Sequence, residues 1–207
     1  PYVVTYHMDA DPVGAFKQFL QKVYYLFLPE TILRGAEKIV SVDREHLYAS
    51  RFGFHLPPNK VVELYNGVDT AVFTNVITLP FPKALAEWEE KNIFLFVGNP
   101  LPFKRLESII NALVAIVDQN VVLAVVGDGY GMEKYKQLAR EAGVEHRVRF
   151  VGAIYERDEL NRFYQVAQAL VVAAVNAESF SLVIIEALSA GCPVIASDIP
   201  GVRSRID

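Results

Sequence analysis

Five runs of strand length carry almost nothing but apolar side chains: IFLFV (93–97), VVLAVV (121–126), RVRFV (147–151), ALVVAA (169–174) and PVIAS (193–197). Between them, near 105–118, 130–142, 156–167 and 182–190, apolar residues recur at helical spacing. A strand that is apolar on both sides must be covered on both sides. The alternation therefore predicts βαβ units and a parallel sheet with helices on each face. Gly191 stands where the last of these helices should end, and Pro193 follows two positions later, so that helix stops there.

Ahead of residue 92 the pattern is looser. Tyr2 to Tyr6 is a short β-rich run, followed by the polar loop HMDADP. From Val13 to Leu28, Phe16, Phe19, Leu20, Val23, Tyr24 and Phe27 form an apolar stripe opposite Lys17, Gln18, Gln21 and Lys22, which predicts a helix. Pro29 and Glu30 break it, and 31–36 makes another turn or two. Lys38 to Val42 reads as a buried strand, Asp43 to Arg51 as a helix, and Val61 to Tyr65 as a strand closing on the Asn66-Gly67 turn. Thr70 to Pro82 has no period and holds two prolines, so it reads as a linker, with a short helix over 83–90. The expected layout is α/β, with two Rossmann-like parallel-sheet units, the first incomplete. Residues 1–70 form the last part of one unit, 71–92 the linker, and 93–207 a second unit cut short at its end. The chain opens directly on a strand and stops as a helix begins, which reads as a portion of a longer protein.

One position breaks the pattern. Leu182, Val183, Ile184, Ile185, Ala187, Leu188 and Ala190 surround Glu186, and together they read as a helix buried on every side. A carboxylate is almost never fully buried without a partner. Glu186 must therefore meet an internal cation, a set of hydrogen-bond donors or a ligand.

Composition mainly excludes. With 52% hydrophobic and 21% charged residues the chain can build a sizeable core. A net charge of −4 offers no basic footprint for nucleic acid. The single cysteine, Cys192, rules out an internal disulfide framework and a multi-cysteine zinc site and fits a reducing compartment. In its apolar setting it reads as an inert core thiol. No apolar run approaches the roughly 18 residues of a membrane span.

Ligands of open α/β sheets sit outside the carboxyl ends of the strands, where three loops qualify: 98–104, 127–131 and 176–181. VVGDGYG (125–131) has G-x-G-x-G spacing rather than the dinucleotide G-x-G-x-x-G. It reads either as a tight strand-to-helix turn or as a loop that meets a nucleotide through its backbone. Lys104 and Arg105 open a helix, the end at which the dipole already favours anions, so a lysine there beside free N–H groups suits a phosphate. Asp9 and Asp11 resemble a D-x-D metal motif, but Asp11 before Pro12 also reads as a helix start. His7, just past a strand, is either structural or a ligand contact.

ESFSLVIIEALSAGCPVIASDIPGV (178–202) resembles the signature of the retaining glycosyltransferases of family 4, also called group 1, through Glu178, Phe180, Glu186, Ala187, Gly191 and PVIA (193–196). The likeness extends to YNGVDTAVF (65–73), VGNPLPFKRLESIINAL (97–113) and VVGDGYG with RVRFVG (147–152). PYVVTYHMD and RGAEKIVSVD resemble the last strands of the acceptor-side domain. The resemblance implies the GT-B fold and transfer of a sugar from a UDP- or GDP-sugar to an acceptor hydroxyl with retention of configuration. It implies no cofactor and no metal.

Carried over by position, Glu186 accepts from the nucleotide ribose hydroxyls, and Glu178 faces the donor sugar. Phe180, Ser181 and Leu182 present backbone N–H groups to the sugar or diphosphate. Lys104, with Gly98, Asn99 and Arg105 beside it, meets the departing diphosphate. His7 lines the sugar from the other domain, and Gly152 to Ile154 meets the base. Two positions depart from the pattern: Asn99 replaces an arginine and Ser181 a glycine. A non-catalytic nucleotide-sugar or carbohydrate module, a GT-B epimerase and a phosphorylase stay open as alternatives. Acceptors of the family are carbohydrates, often lipid-linked, which implies polysaccharide or glycolipid synthesis in the cytoplasm or at the inner face of the membrane. The Phe16–Phe27 stripe is then either core packing or a membrane-surface face.

Overall fold

A computed structural model describes residues 1–7, 22, 29–50, 53, 56–74, 80–129, 131–175 and 178–206. They form two compact units: Pro1–Gly67 with Asn176–Ser181 and Asp198–Asp207, and Val68–Val175 with Leu182–Ser197.

The second unit is built on strands β4 (Asn92–Val97), β5 (Val121–Val126), β6 (Val148–Gly152), β7 (Ala169–Val172) and β8 (Val194–Ala196). All pairs are parallel in the order β6-β5-β4-β7-β8. Four helices connect these strands: α4 (Leu106–Ala115), α5 (Met132–Glu141), α6 (Arg157–Val166) and α7 (Leu182–Ser189). The strand order reverses between β4 and β7, and that switch point is where a doubly wound sheet opens for ligands. Leu106, Ile110, Leu123 and Val125 are fully buried between the sheet and α4 and α5. Burial on this scale contributes roughly 2 kcal/mol per large aliphatic side chain.

Within the stretch read as a linker, Thr70–Thr74 is a helix, α3. Phe73 is buried and meets Tyr164 edge-on at 6.0 Å. Long-range contacts rather than a period hold this helix, with the Asn161 carboxamide donating to the Val72 carbonyl at 3.0 Å, which is why no pattern marked it. Lys83–Trp88 is a 3-10 turn with Leu85 and Trp88 buried.

Arg147 pins the far end of the same sheet. It is 3% exposed, and its guanidinium donates to the carbonyls of Val121 (2.9 Å), Leu113 (2.9 Å), Ile116 (3.1 Å) and Asp118 (3.0 Å). These include carbonyls at the C-terminal end of α4, where a helix leaves acceptors unsatisfied.

In the first unit β1 (Val3–Tyr6), β2 (Lys38–Ser41) and β3 (Val61–Glu63) pair in parallel, with β2 central. Helix α1 (Pro29–Gly35) precedes β2, and α2 (Arg44–Ala49) joins β2 to β3. Pro29 begins a helix rather than only breaking one, a position where its missing N–H costs nothing. Tyr6, Leu33, Ile39, Leu47 and Val61 form the core. Asp43 caps α2 by accepting from the His46 N–H at 2.5 Å. A short helix, α8 (Pro200–Arg203), belongs to this unit. The Phe16–Phe27 stripe and the Asp9/Asp11 pair lie outside the described residues. Among the described residues no helix is long and apolar enough to cross a membrane.

Candidate functional site

In the second unit the loops after β4, β5, β6 and β7 interlock. The Gly98 N–H donates to Val126 at 2.9 Å, and the Gly127 N–H donates to Gly152 at 2.8 Å. A side chain at Gly127 would collide with the Gly98 carbonyl, and one at Gly129 with the Asn99 carboxamide. The glycines of VVGDGYG therefore let two strand ends meet. The run forms the tight strand-to-helix turn that its spacing allowed. The Val175 N–H donates to the Phe103 carbonyl at 2.8 Å, joining the loops on either side of the switch point.

Lys104 closes a 3-10 turn, Pro102–Lys104. Its ammonium lies over the end of β4, 3.2 Å from the place a Cβ of Gly98 would take. Asn99, the residue standing in for an arginine, is exposed beside Gly129. Arg105 precedes α4 in a left-handed conformation (φ 53°), and its Nε pairs with Glu107 at 3.1 Å, along its own helix. Gly152 ends β6, Ile154 is half-buried two residues on, and Tyr155 is exposed.

Helix α7 is not buried all round. Ile184 and Ala187 are fully buried, but Leu182 is 39% and Leu188 46% exposed. Glu186 is accordingly half-buried, and its Oε2 accepts from the Tyr164 hydroxyl of α6 at 2.8 Å. Burial, and then the neighbouring carboxylate, drives the Tyr164 phenol well above its ordinary value. It stays a neutral donor throughout the physiological range. Of the three partners the sequence allowed, the protein itself supplies one hydroxyl, and an ionised carboxylate has acceptor sites beyond that. Gly191, at φ 76°, terminates the helix, with the Cys192 N–H donating to Ala187 at 2.8 Å. Cys192 is 2% exposed, and burial raises its pKa, as befits an inert thiol.

In the first unit the segments 178–181 and 198–206 pack together. The Ser181 N–H donates to Glu178 Oε1 at 3.2 Å. Phe180 is 3% exposed and lies 4.2 Å from the Arg205 guanidinium, which also covers the Tyr65 ring at 4.5 Å. Arg205 donates to Asp43 Oδ2 at 2.9 Å, and Ser204 donates to the same oxygen. Gly201 lies so close to the Glu178 carbonyl that a Cβ there would overlap it. Arg203 bridges Asp198 (2.6 Å) and Glu45 (2.7 Å) at the surface. His7 follows β1 and is exposed.

Sequence reasoning missed Tyr164 and Arg205. Tyr164 sits 22 residues before its partner, inside an ordinary amphipathic helix. Arg205 stands 162 residues from Asp43, in a segment with no period. The only sequence hint was Glu186 itself, which required a partner without saying which. Among the described residues no cluster of three or more His, Cys, Asp or Glu side chains could hold a metal.

The family described as glycosyl transferases group 1 matches residues 79–207. An uncharacterized glycosyltransferase of Methanocaldococcus jannaschii is 30% identical over 158 residues, which is 74% of this chain and 40% of that protein. The D-inositol 3-phosphate glycosyltransferase of Mycolicibacterium gilvum is 34% identical over 150 residues, 71% of this chain and 34% of its own length. The crystal structure of Anabaena HepE in complex with UDP-glucose superposes with a TM-score of 0.71 at 20% identity, covering 97% of this chain and 54% of that one. The chain thus spans between about a third and a half of the curated relatives it matches.

Proposed function

The chain belongs to the group 1 glycosyl transferases and has the GT-B fold, and we propose that it carries the nucleotide-sugar site of such an enzyme. The reaction is transfer of a sugar from a UDP- or GDP-sugar to an acceptor hydroxyl, with retention of configuration. The bond from the anomeric carbon to the diphosphate oxygen breaks, and one to the acceptor oxygen forms. The acceptor loses its proton, and negative charge collects on the departing diphosphate.

The observation that carries the reading is Glu186. It is a half-buried carboxylate with one protein hydroxyl on Oε2. Ribose hydroxyls would add charge-assisted bonds to the remaining acceptor sites. Lys104, over the end of β4, suits the diphosphate, because a fixed cation aimed at developing charge lowers the barrier without reorganising. Gly152 and Ile154 suit the base, and the N–H of Leu182 the diphosphate. Glu178, Phe180 and Ser181 are assigned to the sugar, with His7 a further contact. The nucleotide UDP is favoured by the UDP-glucose bound in HepE. The carbohydrate or lipid-linked acceptor, metal independence and a cytoplasmic setting complete the proposal, the last in keeping with a lone buried thiol.

A thermal-shift screen against UDP- and GDP-sugars tests this. Binding to the native state alone raises the midpoint by mass action. A rise with one nucleotide class is expected. No rise with any would contradict the proposal.

A further inference from the structure

We propose that Arg205 is a positioning residue for Glu178, holding through Phe180 the bend from which that carboxylate is aimed; this rests on the assignment of Glu178 to the donor sugar above. Residues 178–181 bend so that the Ser181 N–H donates to Glu178 Oε1 at 3.2 Å. The bend does not hold itself. Ser181 has φ 48°, in the left-handed region that a serine does not favour. Such a conformation persists only where its surroundings over-determine it.

The surroundings here are residues 201–205. Gly201 lies so close to the Glu178 carbonyl and the Ser179 backbone that a Cβ would overlap both. At the other end of the bend Phe180 is 3% exposed, with the Arg205 guanidinium 4.2 Å from its ring centre. Arg205 also lies 4.5 Å from the Tyr65 ring and donates to Asp43 Oδ2 at 2.9 Å. Asp43 is fixed in its turn as the cap of α2. One planar guanidinium thus meets two rings and a carboxylate at once, which a lysine ammonium is not shaped to do. Stability alone does not call for it. The two side chains are 7% and 1% exposed, and apolar residues of similar volume often match or exceed a buried ion pair in stability. What the pair adds is geometry. It fixes where the Phe180 ring sits, and with it the direction in which Glu178 leaves the backbone.

The test uses a double variant, Asp43→Asn with Arg205→Met, which opens the clamp without stranding a buried charge. Calorimetry well below the unfolding midpoint measures affinities for UDP and UDP-glucose, and for GDP and GDP-mannose. The ratio of sugar-nucleotide to nucleotide affinity should fall about three- to tenfold, the worth of one misplaced hydrogen bond. Nucleotide affinity itself should stay within about twofold. Arg205→Lys, which keeps the charge beside Asp43 but loses the planar contact, should lower the ratio by a smaller factor and serves if the double variant does not fold. In a Glu178→Ala background the same changes should move the ratio by less than about twofold, because nothing is left to position. A ratio unchanged by them, or changed equally with and without Glu178, overturns the inference and leaves the nucleotide-sugar reading standing. If Glu178→Ala alone leaves the ratio unchanged, the assignment of Glu178 falls and the inference with it. If the wild type binds none of the four compounds, the nucleotide-sugar reading falls first.

Discussion

The Tyr164 hydroxyl donates to Glu186 Oε2 over 2.8 Å and joins α6 to α7. Tyr164 is fully buried and also meets Phe73, so one ring both packs α3 and orients the carboxylate. A positioned carboxylate binds hydroxyls better than a mobile one, since less freedom is lost on binding.

Tyr164→Phe should therefore lower stability by about 1–2 kcal/mol at pH 7, the cost of removing a hydrogen bond to a charged group. Its pH dependence gives a second reading. Burial first, then Glu186, raises the folded pKa above the ordinary 10.0. With a raised folded pKa, stability is fully present below about pH 10 and is lost as pH rises beyond it, because the unfolded phenol ionises first. Denaturant unfolding between pH 7 and 11 should show a shallower alkaline decline in Tyr164→Phe than in the wild type. Tyr135, also raised by burial, leaves a residual decline in both.

Arg205→Met would leave Asp43 buried without its cation. The two side chains are 7% and 1% exposed, so loss of about 3 kcal/mol is expected. Adding Asp43→Asn should recover part of that loss, because asparagine carries no charge yet still caps α2. Equal destabilisation of the single and double variants in denaturant titration would show that the ion pair is not the source.

Much of the sheet was legible. Five apolar runs became five parallel strands, with boundaries within two residues, because a doubly covered strand has an unambiguous pattern. Gly191 marked the end of α7 correctly. What the pattern did not show had long-range causes. The helix Thr70–Thr74 depends on Phe73 meeting Tyr164, and the exposure of Leu182 and Leu188 depends on which neighbours α7 has. Glu186 was visible as an anomaly, but its hydroxyl partner was not. The grip of Arg205 on Phe180 and Asp43 joins three segments far apart in the chain, and no local pattern records such a contact.

Arg147→Met separates scaffold from site. It removes four bonds to backbone carbonyls and should cost about 2–4 kcal/mol by stranding buried acceptors. UDP affinity measured well below the midpoint should stay within about twofold. A large loss of affinity would mean that the end of the sheet held by Arg147 is coupled to the site.

Lys104→Met should weaken UDP binding about tenfold, the equivalent of roughly 1.4 kcal/mol. It should also flatten the salt dependence of what binding remains, since a cation–phosphate attraction is screened. Binding titrations at low and high salt would show this. An unchanged salt slope would take the diphosphate away from Lys104.

The central claim is that Glu186 holds the nucleotide, and calorimetric titration of UDP into wild type and Glu186→Gln tests it most directly. Glutamine keeps the shape and can still accept from Tyr164, so the fold should persist with a closely similar midpoint. Losing the charge from two ribose hydrogen bonds should weaken binding at least tenfold, or about 1.4 kcal/mol. Equal affinity in the two proteins would contradict the account.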